Sequence, residues 1–164
     1  MAINKKNKYD IIIAGGGMIG TCLALALAPL NLKIAVIEPV LRNENQQPSF
    51  DERSTALSRS SQRMFKAMGI WSDISLSATA IKEIRVSEKG VFGGSKILAS
   101  EQKVEALGYV IINRIFGSVL QNKLSDFNNI KMFCPGKVIE VNSLVDATEI
   151  IIEYGGKTKK LGCS

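Results

Sequence analysis

A chain of 164 residues can hold one domain of ordinary size but not two, and its 46% hydrophobic and 22% charged residues exclude a disordered composition. Lys and Arg outnumber Asp and Glu by 21 to 15, giving +6; no aromatic-interleaved basic stripe or nucleic-acid motif accompanies that excess, so no nucleic-acid partner is expected. The absence of histidine excludes His-based triads and general bases, and the three scattered cysteines, Cys22, Cys134 and Cys163, indicate neither a disulfide framework nor a metal site.

In chain order, Lys5, Lys6 and Lys8 precede an uncharged stretch from Ile11 to Leu32, with Ala26-Leu27-Ala28 resembling a signal-peptidase site. Asp10 at its head and Gly15-Gly16-Gly17 inside it oppose a leader or membrane span. Each glycine costs a helix about 1 kcal/mol relative to alanine, so the three together read as a turn. The expected location is therefore cytoplasmic. Tyr9 to Ala14 reads as a strand buried on both faces, Met18 to Ala28 as a helix stopped by Pro29, and Lys33 to Glu38 as a second buried strand. Together they make a βαβ unit, with the right-handed crossover expected of such units.

Pro39 to Phe50 is polar and reads as a surface excursion. The spacing of Leu57, Met64, Phe65 and Met68 predicts a helix over Ser54 to Met68, stopped by Gly69, with a short helical turn beginning at Ile70-Trp71. Ile84 and Val86 alternate with polar residues as in a half-buried strand, and a weak strand is expected around Lys96 to Ala99. Tyr109 to Ile112 precedes a helix over Arg114 to Leu124 with Phe116, Val119, Leu120 and Leu124 on one stripe. Ile130 to Cys134, Lys137 to Asn142 and Glu149 to Tyr154 read as strands.

Gly15-Gly16-Gly17-Met18-Ile19-Gly20 matches G-x-G-x-x-G, follows a strand and opens a helix, the context that gives this otherwise weak motif its force. Gly15 allows the sharp turn, Gly17 lets a pyrophosphate approach the backbone, and Gly20 brings helix and strands together. The N–H groups near Met18 and Ile19, at the positive end of the helix dipole, suit an anion. Glu38 closes the second strand, where a carboxylate can accept hydrogen bonds from ribose hydroxyls and repel a 2′-phosphate. A polar excursion, a long helix and irregular strands follow Glu38, an order that favours FAD over NAD. The expected fold is α/β, a Rossmann-like FAD-binding domain of the glutathione-reductase type with added strands.

The glycine loop, Glu38, Phe50-Asp51-Glu52-Arg53-Ser54-Thr55-Ala56-Leu57-Ser58 and Leu107-Gly108-Tyr109-Val110-Ile111-Ile112-Asn113-Arg114 together resemble the FAD-dependent aromatic hydroxylases of ubiquinone biosynthesis. The stretch Ile84-Arg85-Val86-Ser87-Glu88-Lys89-Gly90-Val91-Phe92-Gly93 is similar to the 2-polyprenyl-6-methoxyphenol hydroxylase branch. The resemblance implies a monooxygenase in which NAD(P)H reduces FAD and one oxygen of dioxygen is transferred to a polyprenyl phenol. It implies that the flavin carries the chemistry, with no catalytic side chain assigned in this chain. It further implies that Arg53 lies beside the FAD phosphates or ribose, that Arg114 faces the dinucleotide, and that Val138 meets the adenine through backbone groups. Cys22 reads as a small packed hydrophobe and Trp71 as a packing anchor.

The family pattern continues with an Asp-Gly motif, a later Gly-Asp motif and a substrate-covering sheet, none of which this sequence contains. Residues 1–164 are therefore expected to be the N-terminal part of an incomplete FAD-binding domain, without the substrate domain. The alternative is a truncated, inactive nucleotide-binding fragment; an NAD-dependent dehydrogenase ranks below both. Strands after Lys82 are expected to leave an apolar face exposed. Polyprenyl substrates imply peripheral association with the inner membrane or with other proteins of ubiquinone biosynthesis.

Overall fold

The computed structural model describes residues 7–41, 51–90, 92–143 and 145–163. The chain divides into two compact units, one built from residues 1–50 and 120–164 and the other from residues 51–119. The polar excursion expected over Pro39 to Phe50 lies, from Arg42 onward, outside the described residues.

The first unit opens with β1 (Lys8–Tyr9), β2 (Ile11–Ala14), α1 (Met18–Leu27) and β3 (Ile34–Ile37). The run expected as one strand is broken at Asp10. Asp10 accepts the Lys33 N–H at 2.6 Å, and its own N–H reaches the Lys33 carbonyl. Lys8 and Tyr9 accordingly join a different sheet from Ile11 to Ala14. The two-faced burial expected of the first strand is also not found: Ile13 is buried, Ile11 and Ile12 are half-buried, and Ala14 is exposed. The second strand meets the expectation, because all four residues from Ile34 to Ile37 are at most 1% exposed. At about 1.5–3 kcal/mol for each large aliphatic side chain fully buried, β3 is a main apolar anchor of this unit.

The second unit contains β4 (Ser54–Ser58), α2 (Arg59–Ala67), α3 (Trp71–Ser75), β5 (Thr79–Ile81), β6 (Glu83–Val86), β7 (Ser95–Leu98), β8 (Gly108–Ile112) and the start of α4 (Asn113–Leu124). The helix expected from Ser54 begins only at Arg59. Ser54 to Ser58 instead pair antiparallel with β8, which pairs on its other side with β5. Ser and Thr are weak helix formers with strong local hydrogen bonding, and Gly108 permits the pairing, since a Cβ there would lie 2.7 Å from the Leu57 carbonyl oxygen. Ser58 becomes the N-cap, its hydroxyl accepting from the Ser61 N–H at 3.1 Å. The expected apolar stripe is thereby split. Leu57 is buried from a strand, Phe65 is buried edge-on against Phe116, and Met64 is exposed. Gly69, at φ +70°, follows the helix end as expected.

The β6–β7 ribbon pairs Ile84 with Ile97 and Val86 with Ser95. Ile84, Val86 and Ile97 are all exposed, so the half-burial expected of Ile84 and Val86 is replaced by an open apolar face, with Phe92 fully exposed nearby. Two strands alone present too little surface to cover one another's side chains.

The chain then returns to the first unit through the end of α4, β9 (Ile130–Phe133), β10 (Gly136–Ser143), β11 (Thr148–Tyr154) and β12 (Lys157–Cys163). Phe116, Leu120 and Leu124 are buried along α4 on the predicted stripe. Strands β2, β3 and β9 form a parallel sheet in that order, while β10, β11 and β12 form an antiparallel meander whose last strand pairs in parallel with β1. The core of the unit gathers Ala35, Ile37 and Phe133 from the first sheet with Tyr9, Ile150, Ile152 and Leu161 from the second. Tyr9 meets Phe133 edge-on, and burial pushes its phenol pKa up. Among the described residues, no helix is long and apolar enough to cross a membrane.

Candidate functional site

The first unit builds a groove where β2 runs into α1. Gly15 turns the chain at φ +109°, a conformation costly for any side chain bearing a Cβ. Its N–H donates to the Ile37 carbonyl at 2.8 Å, which ties the start of the loop to β3. Gly20 faces the same turn one helical turn on: a Cβ there would fall 1.9 Å from the Gly15 carbonyl oxygen, so helix and loop can approach only with glycine at this position. Gly15, Gly17, Met18, Ile19, Gly20 and Leu23 line a groove of about 500 Å³, and Ile19 is 87% exposed.

The helix that borders the groove starts without a side-chain cap. Gly17 is the N-cap, with no side chain to satisfy the first N–H groups, and no acidic residue stands in the first turn. The donors around Met18 and Ile19 thus have no capping side chain, at the positive end of a ten-residue helix.

Two buried polar side chains hold this loop in shape. Glu38, 9% exposed, accepts the Gly16 N–H on Oε2 at 2.7 Å and the Val40 N–H on Oε1 at 2.9 Å. Thr21, 1% exposed, donates its hydroxyl to the Gly16 carbonyl at 2.9 Å. Gly16 is therefore gripped from both sides, and a Cβ there would lie 2.8 Å from the Glu38 Cβ. Neither Gly16 nor Thr21 is assigned a role by the G-x-G-x-x-G reading, because the motif leaves the second position open and ends at Gly20. The third glycine in the row was the available signal for Gly16.

Arg53 and Arg114 belong to the second unit, where one corner holds both. The Asn113 N–H donates to the Arg53 carbonyl at 2.8 Å, and the Arg114 N–H donates to the Asp51 carbonyl at 3.0 Å. Both guanidinium groups are largely exposed and ion-paired, Arg53 with Asp51, and Arg114 with Glu52 at 2.6 Å. At Asp51, desolvation raises the carboxyl pKa, but hydrogen bonds from Arg53 and Asn113 outweigh it and leave the group below its ordinary range.

Val138 lies on β10 opposite Ile152, half-buried against the core of the first unit and next to a register shift between Val138 and Glu140. It follows closely on Gly136, whose N–H donates to the Glu38 carbonyl at 2.7 Å. Cys22 is partly buried, and burial pushes its thiol up to about 11, in keeping with a packed hydrophobe. Trp71 packs edge-on against Tyr109, with ring centroids 4.7 Å apart.

No protein-family model matches the chain. It is 30% identical over 162 residues to the mitochondrial ubiquinone biosynthesis monooxygenase COQ6 of Dictyostelium discoideum, covering 90% of this chain and 32% of that protein. It is 29% identical over 151 residues to the 3-demethoxyubiquinol 3-hydroxylase of Escherichia coli, covering 89% of this chain and 38% of that one. Among solved structures it resembles p-nitrophenol 4-monooxygenase from Pseudomonas putida, with a TM-score of 0.78 and 17% identity, over 96% of this chain and 40% of that one. That likeness shows the fold, a Rossmann-like α/β domain matching part of a monooxygenase. The chain spans about a third of the length of the curated relatives it matches, and it matches their N-terminal part.

Proposed function

From the premise that this chain corresponds to the N-terminal part of ubiquinone-biosynthesis hydroxylases, we propose that it is the FAD-binding portion of an NAD(P)H-dependent monooxygenase acting on a polyprenylated phenol. The observation that carries this reading is the glycine loop: a positive-φ turn, a helix N-terminus without a capping side chain, and a carboxylate at the end of the adjacent strand.

Those residues fit the cofactor. A pyrophosphate needs close backbone approach, which the Gly20–Gly15 contact and the open groove support. Glu38 already accepts two backbone N–H groups, but a carboxylate has about four acceptor sites and retains capacity for ribose hydroxyls. In this reading Gly15, Gly17, Met18, Ile19 and Gly20 hold the pyrophosphate and Glu38 the ribose. Arg53 and Arg114 supply positive charge for the dinucleotide, and Val138 offers backbone groups to the adenine. When bound, the flavin supplies the redox and oxygen-transfer chemistry of hydroxylation. A polyprenyl substrate places the complete protein at the inner-membrane surface, where other proteins of ubiquinone biosynthesis are suitable partners.

Titration of the purified chain with FAD, followed by flavin fluorescence, tests the reading. Saturable one-to-one binding that is stronger than NAD binding is the expected result. Stronger binding of NAD, or no flavin binding, overturns it.

A further inference from the structure

Among the described residues, tyrosines aside, the buried polar or charged residues are Thr21, Glu38 and Asn113. A buried polar group is costly unless its hydrogen bonds are made, so where such groups are tolerated indicates what the fold must hold still. Two of them fasten the glycine loop. The third, Asn113, is 5% exposed and stands at the start of α4 in the second unit.

We propose that Asn113 is a positioning residue that sets the Arg53 guanidinium for FAD, acting through the carboxylate of Asp51; this rests on the reading of Arg53 given above. The path is continuous. The Asn113 amide Nδ2 donates to Asp51 Oδ1 at 3.1 Å. The same oxygen accepts the Arg53 backbone N–H at 3.0 Å, and the other carboxylate oxygen accepts Arg53 Nε. The Thr55 hydroxyl donates to Asn113 Oδ1 at 2.5 Å, which fixes the amide's orientation. The Asn113 backbone N–H holds the Arg53 carbonyl. Asp51 is thus pinned by a buried amide on one side and presents its second oxygen to a guanidinium whose side chain is 73% exposed. An exposed arginine otherwise spreads over many rotamers and loses that freedom when it is ordered on a ligand. A held carboxylate reduces that spread beforehand.

A double-mutant cycle on FAD affinity separates positioning from a purely structural role, because residues acting through one another are not additive. R53A is expected to weaken FAD binding about tenfold, the scale of one charge-assisted hydrogen bond. N113A is expected to weaken it about fivefold in the wild-type background and less than about twofold beside R53A. T55V, which leaves Asn113 in place but frees its amide, is expected to show the same coupling at smaller size, and it serves where N113A does not fold by circular dichroism. Equal factors for N113A, or for T55V in its place, in both backgrounds overturn the proposal, as does unchanged affinity. If R53A leaves FAD affinity intact, the role of Arg53 fails and this proposal with it. If the wild-type chain binds no FAD, the functional reading itself has failed.

Discussion

In the first unit, the glycine loop is fastened by Thr21 from five residues away and by Glu38 from the end of the neighbouring strand. In the second, the Arg53 corner is fastened by Asn113 reaching back 62 residues to Asp51 and 58 to Thr55. The two also differ in what they hold. The loop is backbone, with a positive-φ turn at Gly15 and no room for a Cβ at Gly16 or Gly20, and its conformation is nearly all-or-none. The corner carries exposed guanidinium groups on ion pairs at the surface, where a pair contributes about 0–1 kcal/mol and geometry can be lost without unfolding. Damage to the loop should therefore reach stability and binding together, whereas loss of the corner's exposed ion pairs should reach binding alone.

The largest effect is expected from Gly20→Ala. Its Cβ would meet backbone, which cannot rotate away, so a loss of about 3 kcal/mol or more in denaturant unfolding is expected, with FAD binding abolished. A variant with native stability and native affinity would remove the basis for treating the loop as all-or-none. Glu38→Ala comes next. It strips acceptors from the Gly16 and Val40 N–H groups and should cost about 1–3 kcal/mol, with a more than tenfold fall in FAD affinity.

For the corner, Arg114→Ala should leave unfolding within about 0.5 kcal/mol of wild type while weakening FAD several-fold. A drop in stability like that of Glu38→Ala would erase the contrast between the two regions. The smallest effect concerns Cys22, on the helix that follows the loop. With its thiol pushed up to about 11, little of the reactive thiolate is present at pH 8. Alkylation of Cys22, followed by peptide mass spectrometry, should be slow there and should accelerate with pH until near 11. Rapid labelling at pH 8 in the folded chain would contradict its placement as a packed side chain.

How far each region was legible follows from the reach of its interactions. The βαβ unit was readable because Ile34 to Ile37 form a continuous apolar run, the glycines are local, and Pro29 ends the helix near where it must. The β4 strand was misread as helix because Leu57, Met64, Phe65 and Met68 imitate a helical stripe. What decides the matter is pairing with β8, some 50 residues later, and a glycine at Gly108 that allows the close approach. The break at Asp10 was hidden for a similar reason, since it depends on a bond to Lys33 and on pairing with β12 at the far end of the chain.

The resemblance carried by Phe50 to Ser58 and by Leu107 to Arg114 named both arginines, but it said nothing of the buried Asn113. An asparagine next to an arginine at a helix start looks like any polar surface pair until long-range strand pairing brings the loop back over it.

The βαβ pattern and the glycine loop pointed by themselves to a nucleotide-binding α/β fold, and the missing histidine to chemistry that belongs to a cofactor. Local backbone chemistry, in which glycine, proline and apolar runs act over a few residues, was enough for that. Which side chains hold the loop and the corner was decided only by tertiary structure. A buried carboxylate or amide is acceptable only where folding delivers its partners, and those partners stand up to 62 residues away.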